Sequence, residues 1–315
     1  MSEPKAPSTE DDVDLPRQMS GRQPQSLLIT LLSDYWLERR EHVPSAFLVR
    51  LLEEFDITPA STRAALSRLA RRRLLNYSKE GRRTYYGLSE RAARVLISDV
   101  PHILGFGDPE KYAEWNGDWT FFAYSIPENQ RKLRAALRAR LRWAGFAPLY
   151  DGLWISPTGT AEQLGAVADE LGIDAWTPIV GTIPDVSPAL LDPVAAWGLD
   201  DLRTEYEQFI DRFSEVQERA RSGAVGSSEA LVIRTDLMDA WCRFPPLDPD
   251  LPTKLLPDDW PRAQAKSLFV DLYDQLGPLA EFRVKQMLSE YAPALAKLAV
   301  HHTSDYGPQK LPGSA

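Results

Sequence analysis

The sequence predicts an α+β chain of several folded parts, and three observations carry that prediction. Apolar residues recur at three- and four-residue steps through residues 25–73, then give way to two short β-like runs. Residues 119–183 alternate strand-like and helix-like segments in the order βαββαβ. From about Pro188 the chain is mostly helical in period, and acidic. At 315 residues and 43% hydrophobic composition, it is long enough for two or three domains with their own cores. No uncharged apolar run approaches the roughly eighteen residues that span a bilayer. The first twenty residues carry Asp11, Asp12 and Asp14 and no apolar stretch, unlike a secretory signal. The single cysteine, Cys242, excludes an internal disulfide and a multi-cysteine zinc site and suits a reducing compartment. The expected location is therefore cytoplasmic, with no membrane partner.

Residues 1–24 are polar and punctuated by Pro4, Pro7, Pro16 and Pro24, and read as a disordered arm. A helix begins at Gln25, with Leu27, Leu28, Leu31, Leu32, Tyr35 and Trp36 on one face. After Val43-Pro44-Ser45, Phe47, Leu48, Leu51, Leu52 and Phe55 mark a second short helix. Thr58-Pro59 is an N-cap followed by proline at the first helical position, and opens a third helix that runs to about Arg73. Its buried stripe is Thr62, Ala65, Leu66 and Leu69. Two β-like runs, Leu74–Ser78 and Thr84–Leu88, flank a Lys79–Arg83 tip in which Gly81 can supply a positive φ. Three helices and a hairpin are the order of a winged helix-turn-helix, expected over residues 25–98. In that fold the third helix enters the major groove while the hairpin lies along the backbone.

Charge falls on the same segment. The chain carries a net −9, but residues 20–98 hold 14 Lys and Arg against 8 Asp and Glu, a net of +6. From chain totals of 36 and 45, that leaves 22 basic and 37 acidic residues elsewhere. Such asymmetry suggests a polyanion-binding module joined to an acidic body. Helical spacing places Ser61, Arg63, Ser67 and Arg68 away from the buried stripe, near the helix N-terminus, as candidates for base contact. Arg71, Arg72, Lys79, Arg82 and Arg83 are candidates for phosphate contact, setting register rather than sequence. The competing reading is a winged-helix interaction module, whose surface arginines are merely solvated.

The middle segment, 112–187, begins with the aromatic strand Trp119–Ile126. A strongly basic helix, Glu128–Trp143, follows, with Leu133, Ala136, Leu137, Leu141 and Ala144 on its apolar side. Ala147–Tyr150 and Leu153–Ser156 flank Asp151-Gly152 as a tight hairpin; Thr160–Leu171 is a helix and Ala175–Ile183 a last strand. This order matches a ferredoxin-like sandwich. The remainder, 188–300, reads as a helix over Leu199–Arg221, a Gly/Ser linker at Ser222–Ser228, a helix over Glu229–Phe244 and a proline-punctuated loop. A last helix ends near Gln275, and residues 301–315, with His301-His302, read as a solvated tail.

The opening Pro24-Gln25-Ser26-Leu27, the third helix from Ser61 to Leu69, and Tyr85-Tyr86-Gly87-Leu88-Ser89 resemble the PaaX-type regulators, repressors of phenylacetate-degradation genes. The stretch Arg243–Pro261 is similar to that family's most distinctive motif, with Asp248-Pro249, Leu251-Pro252 and Leu255-Leu256-Pro257-Asp258-Asp259-Trp260-Pro261. The likeness spans about Gln25 to Val300. One departure is Arg262, where glycine commonly follows the Trp-Pro pair. The resemblance implies a homodimeric regulator on a palindromic operator in double-stranded DNA, released by an acyl-CoA thioester such as phenylacetyl-CoA. It also implies a Cas2-like middle domain that dimerises, and a helical C-terminal domain that binds the effector. No cofactor and no metal are expected. Phosphates favour Arg and an acyl group favours an aromatic slot, so Arg234, Trp241, Arg243 and Trp260 are the candidate effector contacts. A Cas2-like nuclease would need a carboxylate just after the first strand, which here ends Tyr124-Ser125-Ile126-Pro127; no enzyme is expected. Cys242, beside Trp241, is read as a small buried hydrophobe rather than a nucleophile.

Overall fold

A computed structural model describes residues 23–108, 115–183 and 193–306. Most of the N-terminal arm and the end of the C-terminal tail lie outside the described residues. The chain divides into two compact units: Met1–Gly105 with Arg212–Arg243 and Ser267–Ala315, and Phe106–Asp211 with Phe244–Lys266.

In the first unit, α1 (Pro24–Trp36) starts on proline at N1 and is buried continuously from Ser26 to Trp36. The sequence predicts a one-sided helix; the structure buries every side, because α1 packs on α2 and α3 and also on α8, introduced below. A short strand β1 (Val43–Pro44), unforeseen in the sequence, precedes α2 (Ser45–Glu53). In α3 (Pro59–Arg71) the Thr58 hydroxyl accepts from the Ser61 amide at 3.3 Å, and Thr62, Ala65, Leu66 and Leu69 are buried as the periodicity predicts.

Then come β2 (Leu75–Glu80) and β3 (Arg83–Leu88), paired from Leu75↔Leu88 to Glu80↔Arg83. Adding β1 gives the order β1-β3-β2. The hairpin is tighter than expected: Lys79 and Arg83 lie on the ladder, and only Gly81 (φ +59°) and Arg82 turn the chain. Next is α4 (Glu90–Gly105), a helix not foreseen, though Ala92, Leu96, Val100 and Leu104 repeat every fourth residue and the Ser89 hydroxyl accepts from the Ala92 amide.

The same unit holds part of α7 (Asp200–Arg221), α8 (Ser227–Trp241), most of α9 (Arg262–Tyr291) and α10 (Pro293–Ala296). The expected Gly/Ser linker is a compact turn: Ser227 and Ser228 already belong to α8, and Val225 is buried. The helix expected to end near Gln275 continues through Pro278, since Ala280, Val284, Met287 and Leu288 keep burying its inner face. A Cβ at Gly277 would stand 2.4 Å from the His301 ring, so glycine there makes room for the returning chain. His301 and His302 are thus packed rather than solvated. His301 donates its amide to Glu281 at 3.0 Å, and burial lowers the His302 pKa to about 4.

In the second unit, β4 (Asp118–Tyr124), α5 (Arg131–Trp143), β5 (Ala147–Tyr150), β6 (Leu153–Ser156), α6 (Ala161–Leu171) and β7 (Trp176–Thr182) follow the predicted order. The sheet is antiparallel in the order β5-β6-β4-β7. Phe122 and Trp154 on one face meet Leu137 and Leu141 of α5 and Leu164 and Ala168 of α6 in a single core. Ala136, expected on the apolar side, is exposed. Thr160 caps α6 in a reciprocal box with Gln163. Elsewhere in this unit the Arg243–Pro261 motif closes over α7. Tyr206 stacks on Phe244 at 4.1 Å and donates to Asp248 at 2.6 Å, while Arg262 donates to Asp248 (3.4 Å), Asp250 (3.2 Å) and the Leu251 carbonyl (2.7 Å). Burial raises the Asp248 pKa even with Arg262 beside it. The residue that departs from the family pattern is the one that ties the loop.

Candidate nucleic-acid interface

The buried stripe of α3 turns its other half outward. Ser61, Arg63, Ser67, Arg68 and Arg71 are all exposed, with Arg72 and Arg73 continuing past the helix end. From Arg63 to Arg71 the helix rises about 12 Å, enough to lie along a groove. Ser61 is partly committed, since its hydroxyl accepts from the Thr58 hydroxyl at 3.0 Å within the cap. Arg72 is engaged within the protein. Among the described residues, no acidic side chain pairs with Arg63, Arg68, Arg71, Lys79, Arg82 or Arg83.

The hairpin adds to that surface. Asn76 through Arg83 are exposed without interruption, so β2 is an open edge. Glu80 stands opposite Arg83 in the register. Two residues escaped the sequence reading. Tyr77 is 60% exposed, its ring 6.2 Å from Tyr86, and Arg73 takes a positive φ of 57° between helix and hairpin. The run Arg71-Arg72-Arg73 and the three hairpin tyrosines, Tyr77, Tyr85 and Tyr86, were the available signals. A cationic, solvent-facing helix beside a cationic hairpin tip can neutralise phosphates and offer polar donors to base edges.

Of the four residues expected at an effector, Arg234, Trp241 and Arg243 belong to the first unit and Trp260 to the second. Arg234 is completely buried in the first unit. Its Nε donates to the Tyr273 carbonyl (3.0 Å), Nη1 to Asp34 (3.3 Å) and the Tyr35 hydroxyl (3.2 Å), and Nη2 to the His302 carbonyl (2.5 Å). Burial pushes the Tyr35 hydroxyl up to about 12, so it stays a neutral partner. Trp241 is also fully buried, stacked on Phe269 at 4.6 Å and donating to the Ile103 carbonyl at 3.0 Å. Neither side chain has exposed surface in this structure. Cys242 is buried with its sulfur 3.7 Å from that of Met238. Arg243 is exposed. Trp260, in the second unit, lies under the Arg203 guanidinium at 5.2 Å, and its indole nitrogen is buried without a hydrogen-bond partner.

Among the described residues, no group of three or more His, Cys, Asp or Glu is placed to hold a metal, and no helix is long and apolar enough to cross a membrane.

Against known proteins, residues 23–92 match the family described as PaaX-like protein. Residues 112–185 match the PaaX protein central Cas2-like domain, and residues 197–286 the PaaX-like protein C-terminal domain. A curated relative is the transcriptional repressor PaaX of Escherichia coli, 28% identical over 262 residues that cover 81% of each chain. Among solved structures, an uncharacterized protein from Mycobacterium tuberculosis, Rv0674, is similar with a TM-score of 0.54 and 20% identity, over 85% of this chain and 97% of that one. At that identity the likeness speaks for the fold alone.

Proposed function

The chain belongs to the PaaX family, and from that membership, which makes it a transcriptional regulator rather than an enzyme, we propose a specific mode of action. It is a cytoplasmic homodimeric repressor of aromatic, phenylacetate-type catabolic genes. It reads a palindromic operator through an N-terminal winged helix and is released by an acyl-CoA thioester such as phenylacetyl-CoA. The observation that carries the DNA reading is the set of exposed cations on α3 and the hairpin, among which Glu80 is the one acid. The order β1-β3-β2 beside α3 supports the wing.

In this reading Ser61, Arg63, Ser67 and Arg68 face bases, and Arg71, Arg72, Lys79, Arg82 and Arg83 hold phosphates. A two-fold protein suits a two-fold operator, with the Cas2-like domain as the dimerising part. For the effector, Arg243 is exposed and Trp260 half-buried, and both remain candidate contacts.

The test is a fluorescence-anisotropy titration of the protein on its own upstream DNA at fixed salt, with and without phenylacetyl-CoA. The expected outcome is tight binding over random duplex, relieved by the thioester. Specific binding indifferent to the thioester would keep the regulator and discard this effector. Equal affinity for random duplex would return the winged helix to a protein-interaction role.

A further inference from the structure

Helix α5 of the Cas2-like domain carries Arg131, Lys132, Arg134, Arg138, Arg140 and Arg142 in thirteen residues without an acid. Two of them, Arg131 and Lys132, occupy the first turn, where the helix dipole disfavours positive charge. Arg134, Arg138 and Arg142 repeat at four-residue steps, so like charges stand one above another on a single face. In a chain of net charge −9, that arrangement costs stability and leaves the repulsion uncompensated from within the helix. Only part of it is absorbed nearby. Arg134 donates twice to the Ile126 carbonyl (3.1 and 2.8 Å), and Arg138 makes an exposed pair with Asp151 at 3.2 Å. Arg140 turns to Glu170 of α6.

Arg131, Arg134, Arg138 and Arg142, the last with its guanidinium 5.8 Å from the Trp154 ring, line an open cavity of about 410 Å3 together with Glu128 and Ala135. Its walls are mainly charged side chains, with Ala135 the one apolar residue lining it, whereas a small organic ligand favours a predominantly apolar pocket. Its length, from Arg131 to Arg142, is about 16 Å along the helix, several phosphates of a nucleic-acid strand.

We propose that the Arg131–Arg142 row of α5 is a second phosphate-binding track for duplex DNA, sequence-neutral and separate from α3 and the hairpin. The inference rests on the DNA-binding reading above but not on the operator or the effector. The track contributes counterion release and no base discrimination.

The experiment compares wild type with an Arg131→Gln/Arg138→Gln/Arg142→Gln variant on operator and random duplexes from 50 to 200 mM salt, with Arg140→Gln as control. A charge-keeping Arg131→Lys/Arg138→Lys/Arg142→Lys variant and thermal melts guard against misfolding. The expected result is a salt slope lower by about 2 to 3, equal fold-losses on both duplexes, and recovery in the lysine variant. An unchanged slope in the glutamine variant, with wild type binding normally, overturns the track and leaves the reader intact. Loss of binding to a fluorescent ADP probe with DNA binding unchanged also overturns it, assigning the row to a small phosphorylated ligand. Wild type that binds no duplex overturns the track and the DNA reading together.

Discussion

Arg68 on α3 and Arg234 on α8 lie in the same compact unit, yet the first keeps its guanidinium in solvent and the second has none of its surface exposed. Around Arg234 four acceptors converge from α1, α9 and the returning chain; around Arg68 no carboxylate pairs. The difference teaches that residue type is silent about role and that the supply of partners decides it. A buried guanidinium without them would be prohibitive, and an exposed one with them would be a weak surface pair. An exposed one without them is available to an outside anion.

The comparison can be broken at several points. The largest effect is expected from Arg234→Met, which leaves the buried Asp34 carboxylate without its counter-charge, though the Tyr273 hydroxyl still donates to it at 3.4 Å; it should cost about 3–5 kcal/mol in urea unfolding. A loss below about 1 kcal/mol would show that the buried cluster does not hold α1 to α8.

Next comes pH. His302 is held neutral by burial, its pKa near 4 against an ordinary 6.5. As pH falls, the unfolded ring takes up its proton first, so this contribution is complete above 6.5 and is lost as pH approaches 4. Between pH 7 and 5 the urea stability should fall by about 2 kcal/mol, and His302→Asn should flatten that fall. Glu281 adds its own acid loss only lower down. Burial pushes it up, but Lys285 and His301 outweigh that and hold it near 2, so its contribution disappears below about 4.5.

Arg68→Ala should leave stability within about 0.5 kcal/mol and cost about 1–3 kcal/mol of operator affinity, with relaxed specificity by competition binding. Smallest is Arg83→Ala, which should weaken every duplex alike and lower the salt slope by about 0.9. Equal losses from Arg68→Ala and Arg83→Ala on specific and random DNA would erase the division between base and phosphate contacts.

Much of this fold is legible in the sequence where a local period does the folding. The α3 stripe, the Thr58-Pro59 start and the Asp151-Gly152 hairpin all appear at their predicted residues. Elements set by distant partners were not legible. β1 exists because Tyr85 and Tyr86 offer it a ladder; α1 loses its polar face because α8 covers it. Pro278 reads as a stop, but the burial beyond it outweighs one lost hydrogen bond. For the exposure of the α3 cations the sequence suffices, since it follows from the helix period. The burial of Arg234 and Trp241 was less legible because arginine and tryptophan were matched to ligand chemistry. Yet Arg234 follows Ala230 and Leu231 by four and three residues and precedes Leu237 and Met238 by three and four, on the apolar stripe of its own helix. That spacing was the available sign of burial.

The complete burial of α1 also bears on how such regulators diverge and how they are engineered. A DNA reader connected by a loose tether can be exchanged between relatives like a cartridge. Here α1, the first helix of the proposed reader, packs on α8, so a transplanted reader would arrive with an exposed greasy flank and leave a gap behind. If α3 reads the operator as proposed, new specificity is gained more cheaply by point changes on α3 than by exchanging the whole segment, and chimeras should carry α1 and α8 together.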